Sequence, residues 1–269
     1  MTSNRVEPKL AARRVAVARD EGRRRLRVVT ALCVVTLTAL VGIVIVNSSL
    51  LDVDEIVVVG AVNTDPREIA AASAIPIGHP LLDVDVAGAV ERIGQLPWVE
   101  SAGLTRSANG TVTVTITERV AVAAIPAVGG FSLVDAAARQ LGVVATSPPG
   151  FVPVTGLTAD GVLGQPAPPE THSVLRLFSQ LTPEIAAQIT SVEWLDGSLS
   201  VTLGIGGRAL LGDDTALDEK LLSLETVLAR VDLRCLAEID VRVPSAPAVT
   251  RMNANGDPRA TVVDLAECT

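Results

Sequence analysis

The chain has 269 residues, of which 48% are hydrophobic and 2% aromatic, and its formal net charge is −8. This length suffices for one large folded domain or two small ones beside shorter segments. The acidic balance argues against a nucleic-acid-binding protein, which would need a basic surface, and the absence of tyrosine argues against an aromatic sugar-binding cleft.

The N-terminal 27 residues differ in charge from the rest of the chain. They hold nine Arg/Lys and three acids, a net charge of +6, so the remaining residues carry −14. Such a segment predicts a solvated basic tail that faces anionic lipid headgroups.

A long apolar run follows the basic tail. The 24 residues Val28–Leu51 carry no charge. As a helix they would extend about 36 Å, more than the roughly 30 Å of a bilayer's hydrocarbon core. We therefore predict a transmembrane helix over residues 28–50. Two alternatives remain: a cleaved signal peptide, whose apolar region is usually shorter, and a core helix of a soluble domain.

The charges that flank this run predict its orientation. Four arginines lie between residues 23 and 27, whereas acids lie at 52, 54 and 55. Basic flanks stay in the cytoplasm. We expect a cytoplasmic N-terminus, a single span in the cell membrane, and all residues beyond 50 on the external side.

Residues 51–119 carry signals for the order β-α-α-β-β. An aliphatic run comes first, and Asp65 then predicts a helix N-cap, with proline directly after it. A second amphipathic helix should end at Gly94. Asn109-Gly110 predicts a hairpin, and the next seven residues alternate between threonine and aliphatic residues, as expected for a strand.

Residues 120–251 indicate a second, β-rich unit. Its signals are a strand and return over 120–135, a helix from His172, three strands between Val192 and Gly212, an amphipathic helix over 213–231, and a closing strand over 238–249. The apolar stripe of the long helix is Leu217, Leu221, Leu224, Leu228 and Val231. The predicted fold class is therefore α+β, with a mixed sheet and packed helices in the second unit.

Several short motifs resemble those of the bacterial FtsQ/DivIB family. In the first unit, which resembles a POTRA domain, they are Gly60, Gly78–Leu81, Leu96–Val99 and Glu118-Arg119. In the second unit they are Gly212, Lys220, Leu224, Ile239, Asp240, Arg242, Pro244, Pro247 and Val249. The predicted organisation is a tail (1–27), a transmembrane helix (28–50), a POTRA domain (51–119), an FtsQ-type β domain (120–251) and a flexible tail (252–269).

The three cysteines differ in their predicted surroundings. Cys33 lies in the apolar run, where it should pack as a small hydrophobic residue. Cys235 and Cys268 lie in the external part, where a disulfide can persist, but spacing alone does not decide whether they pair.

The sequence contains no convincing catalytic, cofactor or metal motif. Gly204–Ala209 fits G-x-G-x-x-A, but strand residues follow it, which predicts a hairpin turn and not a nucleotide site. Asp83 and Asp85 are explained by a helix N-terminus. The two histidines, His79 and His172, are far apart in sequence. We therefore expect no catalytic residues, no cofactor, no metal and no small-molecule substrate.

Resemblance to the FtsQ family implies a function. It implies a bitopic scaffold of the division machinery at the septum, which links early division proteins to FtsB- and FtsL-like proteins and to FtsW/FtsI-like septal peptidoglycan synthesis proteins. The alternative is a membrane-anchored external cell-wall enzyme or binding module.

The resemblance also implies a partner site on the closing strand. Proteins of this kind are expected to bind an extended partner segment by β-augmentation at an exposed sheet edge. Because Pro244 and Pro247 cannot donate to a ladder, we expect the strand over 238–249 to be that edge. The predicted partner-binding residues are Val241, Arg242, Val243, Ser245 and Val249.

Overall fold

The computed structural model describes residue 25 and residues 27–42 and 52–252. Residues 27–42 form helix α1. Among the described residues, no helix combines the length and the apolar character needed to cross a membrane. Part of the predicted span, residues 43–50, lies outside the described residues, as do most of both predicted tails, so the anchor stays a prediction.

The first unit has the predicted order β-α-α-β-β. Its elements are β1 (Glu55–Val59), α2 (Pro66–Ser73), α3 (Val86–Gly94), β2 (Val99–Arg106) and β3 (Thr111–Glu118), with a short 3-10 turn at Leu81–Asp83. The sheet order is β1-β3-β2, with β1 parallel and β2 antiparallel to the central strand.

Local sequence signals explain these elements. The Asp65 side chain accepts a hydrogen bond from Arg67 N at the start of α2, and Asp85 accepts one from Gly88 N at the start of α3. On β3 the alternating aliphatic residues are buried against Ile69 and Ile93 of the two helices. Asp85 is thus a helix cap, as predicted.

Glu118 ties the end of β3 to the loop after β1. Its carboxylate accepts the backbone N–H groups of Val62, Asn63 and Thr64 and the Asn63 side-chain amide, all within 2.8–3.0 Å. Partial burial opposes ionisation, but these hydrogen bonds outweigh it and hold the pKa of Glu118 below its ordinary value. The ionised side chain therefore holds the loop after β1 against the end of β3.

Ala74 caps α2 in a left-handed conformation, with φ of 53° and an exposed side chain. A Cβ in this conformation costs about 1–2 kcal/mol. Glycine avoids that cost, but it raises the conformational entropy of the unfolded chain, which offsets part of the gain. We expect Ala74→Gly to raise the free energy of unfolding by about 0.5–1 kcal/mol, measured by urea unfolding.

Ala71→Gly is the matched control, because Ala71 is also exposed but lies inside α2. There the same change should lower stability by about 0.5–1 kcal/mol. Two variants that shift stability in the same direction would contradict the capping explanation.

The second unit contains two sheets. The small sheet has the order β4-β5-β6, built from Ala121–Ala127, Gly130–Asp135 and Gln140–Val144. The large sheet has the order β12-β11-β10-β9-β8-β7. Its strands in chain order are β7 (Val154–Thr155), β8 (Ile189–Leu195), β9 (Ser198–Leu203), β10 (Arg208–Gly212), β11 (Leu236–Asp240) and β12 (Ala248–Arg251).

Three helices accompany the large sheet: α4 (Thr171–Gln180), α5 (Pro183–Ala186) and α6 (Leu217–Arg230). Leu217, Leu221 and Leu224 of α6 are buried, and Leu228 and Val231 pack against the same core. The predicted stripe is confirmed. The sheet is mixed, because β10–β11 and β7–β8 are parallel and the other pairs antiparallel.

The two units meet through a polar and aromatic junction. Arg119 Nη1 donates to Asp135 Oδ2 at 2.9 Å, and its Nε donates to Val99 O at 3.1 Å. Arg139 of the second unit donates to Gln95 O in the first. Trp98 packs with the small sheet, where a Cβ on Gly142 would lie 3.3 Å from its indole nitrogen. This junction joins the units without an intervening flexible linker.

The cysteines differ in their bonding. Cys235 is disulfide-bonded, and Cys33 is free. Cys268 lies outside the described residues. Cys235 also accepts a 2.9 Å hydrogen bond from Met252 N at its backbone oxygen, which links the start of β11 to the end of β12.

Candidate partner-binding site

The segment predicted as one closing strand is two strands with a loop between them. β11 ends at Asp240, residues 241–247 form the loop, and β12 begins at Ala248. The prediction of a single strand over 238–249 is therefore wrong. β11 lies between β10 and β12, so of these two strands only β12 lies at an edge of the sheet as the described residues form it; β7 lies at the opposite edge. Pro244 and Pro247 lie in the loop and not on the edge strand, because the chain turns there, with Ala246 N donating to Val243 O.

The five predicted partner residues have different surroundings. Val241 is fully buried in the core, and its N–H donates to Leu210 O at 3.0 Å, so it does not reach the surface. Arg242 and Ser245 belong to the loop, and Val243 is 58% exposed there. Val249 is the second residue of β12 and packs partly against the core. Four of the five residues therefore remain available to a partner.

Among the strands that the structure describes, β12 has a hydrogen-bonded neighbour on one side only. Directly after β11, the Val241 N–H donates to Leu210 O of β10, so the backbone groups of Glu238 and Asp240, which alternate with it, face β12. Their partners on β12 are Thr250 and Ala248. The N–H and C=O groups of Val249, between these two, consequently point away from the sheet. This is the geometry that an added strand requires.

A groove of about 450 Å³ lies beside this edge. It is formed between α6 and the loop, and its lining residues are Glu219, Leu222, Ser223, Thr226, Pro244, Ser245 and Pro247. Leu222, which lies off the buried stripe of α6, is 65% exposed. Leu222 and the two prolines give the groove an apolar lining, and Val243, in the same loop, is also exposed. Such pockets suit a bound segment with alternating side chains.

Asp240 and Arg242 shape the exit of the chain from β11. Arg242 donates to both carboxylate oxygens of Asp240 at 2.6–3.1 Å, and its backbone N–H donates to the same side chain at 3.0 Å. The side-chain hydrogen bond from Arg242 holds the pKa of Asp240 below its ordinary value. A Cβ on Gly212 would lie 3.0 Å from Arg242 Cγ, so glycine leaves room for the arginine stem.

Lys220 fixes α6 against the loop that precedes it. Its side chain is 5% exposed, and Nζ donates to Asp213 Oδ1 at 2.7 Å and to Asp213 O at 2.9 Å. The hydrogen bond from Lys220 lowers the pKa of Asp213 to about 2. This pair orients the helix that forms one wall of the groove.

The contribution of the Lys220–Asp213 pair to stability should depend on pH. Because the folded pKa of Asp213 is depressed from 3.8 to about 2, its contribution is complete above pH 3.8 and is lost as pH falls through about 2. Lys220→Met should lower the urea midpoint at pH 7, and the difference from the parent protein should shrink below pH 3.8. A difference that is independent of pH would contradict the ion-pair explanation.

The structure also shows where the other motifs considered in the sequence lie: the metal-ligand residue types, the G-x-G-x-x-A motif and the two histidines. In the described part of the chain, no group of three or more His, Cys, Asp or Glu could hold a metal ion. Of the Gly204–Ala209 motif, residues 204–207 connect β9 to β10 and Arg208 and Ala209 begin β10, a hairpin turn followed by a strand as predicted. His172 borders a separate cavity of about 370 Å³ beside α4, whereas His79 lies in the first unit.

Sequence reasoning missed the contribution of α6 to the site. The apolar stripe predicts only that α6 packs on the core. The structure shows that the other face of α6 also lines the groove, through Glu219, Leu222 and Thr226. A leucine at 222 outside the apolar stripe was the available signal. The leucine alone did not indicate that the 241–247 loop would form the other wall of the groove.

Comparison with known proteins places the chain in a family. Residues 51–119 match the family model of the POTRA domain, FtsQ-type. The chain is 29% identical over 198 residues to the cell division protein FtsQ of Corynebacterium glutamicum, which covers 73% of this chain and 87% of that protein. It is 28% identical over 239 residues to FtsQ of Streptomyces bingchenggensis, with 85% and 87% covered.

A third relative extends over nearly the whole chain. FtsQ of Mycobacteroides abscessus is 30% identical over 253 residues, which cover 91% of this chain and 78% of that protein. The similarity thus includes both the first unit and the sheet that carries the candidate site. The chain belongs to the FtsQ family of cell division proteins.

Proposed function

We propose that the chain is a non-enzymatic scaffold of the bacterial division machinery. It would act at the septum and link early division proteins to FtsB/FtsL-like proteins and, through them, to the FtsW/FtsI-like proteins of septal peptidoglycan synthesis. Family membership supports the role in division. The observation that carries the scaffold role is the edge position of β12: among residues 52–252, no strand pairs with the outward backbone groups of Val249.

The proposed anchor is a single span with a cytoplasmic N-terminus. Its support is the uncharged run Val28–Leu51 with basic residues before it and acids after it. Helix α1 adds a further argument, since Leu32, Val35 and Leu37 are each more than 60% exposed. A helix that exposes large aliphatic side chains on all sides requires an apolar environment such as lipid.

The partner would bind as an added strand. An extended FtsB-like segment would exchange backbone hydrogen bonds with Val249 and Arg251 of β12, while its apolar side chains fill the groove beside Leu222 and Val243. Main-chain bonds supply affinity in this mode, and the groove supplies specificity.

Val243→Asp tests the apolar part of this contact. Because Val243 is 58% exposed, the change should leave folding intact but place a charge in the interface, weakening FtsB-like binding about tenfold or more. Leu195→Asp is the matched control, at 57% exposure at the end of β8. Unchanged affinity of the Val243 variant in a titration would remove the loop from the proposed site.

Localisation tests the function as a whole. An N-terminal fluorescent fusion of the full chain should form a band at midcell in constricting cells of the source bacterium. An even signal over the envelope would contradict the division role while leaving the anchor intact.

A further inference from the structure

The loop between α2 and α3, residues 75–82, is bonded to the first residues of the first unit. Val53 N donates to His79 O at 2.9 Å, and Gly78 N donates to Val53 O at 2.8 Å. Asp52 forms a bridge with Pro80. The loop is therefore attached to the point where the chain enters this unit.

Two large aliphatic side chains of this loop are exposed. Ile77 is 63% exposed and Leu82 is 57% exposed, whereas the neighbouring Leu81 is buried in the core. Arg106 Nη1 donates to Leu81 O at 3.1 Å and Leu82 O at 3.2 Å, which holds the end of the loop in place. The exposed side chains are thus presented by a fixed backbone.

The position of the loop along the chain is equally specific. Asp52 directly follows the uncharged run that ends at Leu51. Ile77 is adjacent to Gly78, which is bonded to Val53, and Leu82 is two residues from Pro80, the partner of Asp52. With the spacing between paired strands and the steps back to Leu51 included, the Cα atoms of Ile77 and Leu82 each lie at most about 16 Å from the end of the uncharged run. The headgroup layer of a bilayer is about 5–8 Å thick on each side. An upper limit of about 16 Å allows either side chain to reach this layer when the first unit lies directly on the bilayer.

We propose that the 75–82 loop contacts the outer surface of the membrane, with Ile77 and Leu82 inserted among the lipid headgroups. The inference rests on the anchor of the proposed function. The nearby acids Asp52, Asp54 and Asp83 disfavour attachment to anionic lipid, so the contact is apolar and fits a zwitterionic surface. It holds the first unit against the bilayer and limits its rotation about the span.

The test uses an environment-sensitive label in the full chain. In a Cys33→Ser background that keeps the Cys235 disulfide, Ile77→Cys is labelled with a nitrobenzoxadiazole dye and the protein is reconstituted in phosphatidylcholine vesicles. We expect emission at a shorter wavelength than for the same protein in aqueous urea, and quenching by lipids that carry a headgroup-level quencher. Leu82→Cys should behave in the same way.

Val162→Cys is the matched control, because Val162 is 70% exposed but lies in the second unit. Its label should emit as in water and resist the lipid quencher. Flotation of the vesicles tests the anchor separately. If the protein floats with the vesicles but the label at residue 77 emits as in water, the proposed lipid contact is overturned. Shielding of the label only after a partner protein is added would not restore the proposal. If the protein does not float, the anchor itself fails and takes this inference with it.

Discussion

Val249→Pro is expected to weaken binding of an FtsB-like segment by about 30-fold, equivalent to about 2 kcal/mol. Proline removes the outward N–H of Val249 and leaves a carbonyl of the added strand unpaired. The inward bonds of β12 come from Ala248 and Thr250, so the sheet itself keeps its pairing. Titration of the full-length variant with its partner measures the loss.

Val249→Ala provides the control for the side chain. It keeps the outward N–H while shortening the part of Val249 that packs on the core. We expect its affinity to stay within a few-fold of the parent protein, with thermal unfolding run on both variants to check the fold. Equal affinities of the proline and alanine variants would show that β12 is not extended by the partner.

Asp135→Asn is expected to lower the free energy of unfolding by about 2–4 kcal/mol. Asp135 is 8% exposed, and its carboxylate accepts from Arg119 at 2.9 Å and from the backbone N–H groups of Ala137 and Arg139 at 2.9 and 2.8 Å. An amide at this position removes the negative charge opposite Arg119, so a partly buried guanidinium loses its carboxylate partner and keeps only its hydrogen bond to Val99 O. Urea unfolding measures the change.

The matched control is Asp232→Asn. Asp232 also forms a bidentate pair, with Arg234, but both side chains of that pair are more than a third exposed, so water can replace the contact. We expect little change in its unfolding midpoint. A similar loss in both variants would contradict the role of burial at the junction of the two units.

Local patterns predicted the first unit because its signals lie within a few residues of the bonds they form. Asp65 and Asp85 cap the helices that directly follow them, and Asn109-Gly110 closes the β2–β3 hairpin. The stripe of α6 was likewise readable, since helical periodicity specifies which side chains share a face.

The candidate site was less predictable because its parts are distant in sequence. The closing strand was predicted as continuous over 238–249, but the Asp240–Arg242 contact and the turn at Val243–Ala246 interrupt it. Val241 and Val243 are the same residue type, yet Val241 is buried beside β10 and Val243 is exposed. Residue type alone could not separate them.

The sequence by itself determined the family, the α+β class and the order of elements, since caps, turns and periodicities are short-range interactions. Only the tertiary structure decided which strand lies at the open edge, because strand order depends on contacts between segments far apart in the chain. It alone also placed Leu222 of α6 beside the 241–247 loop, and the 75–82 loop beside Asp52, since both contacts join distant segments.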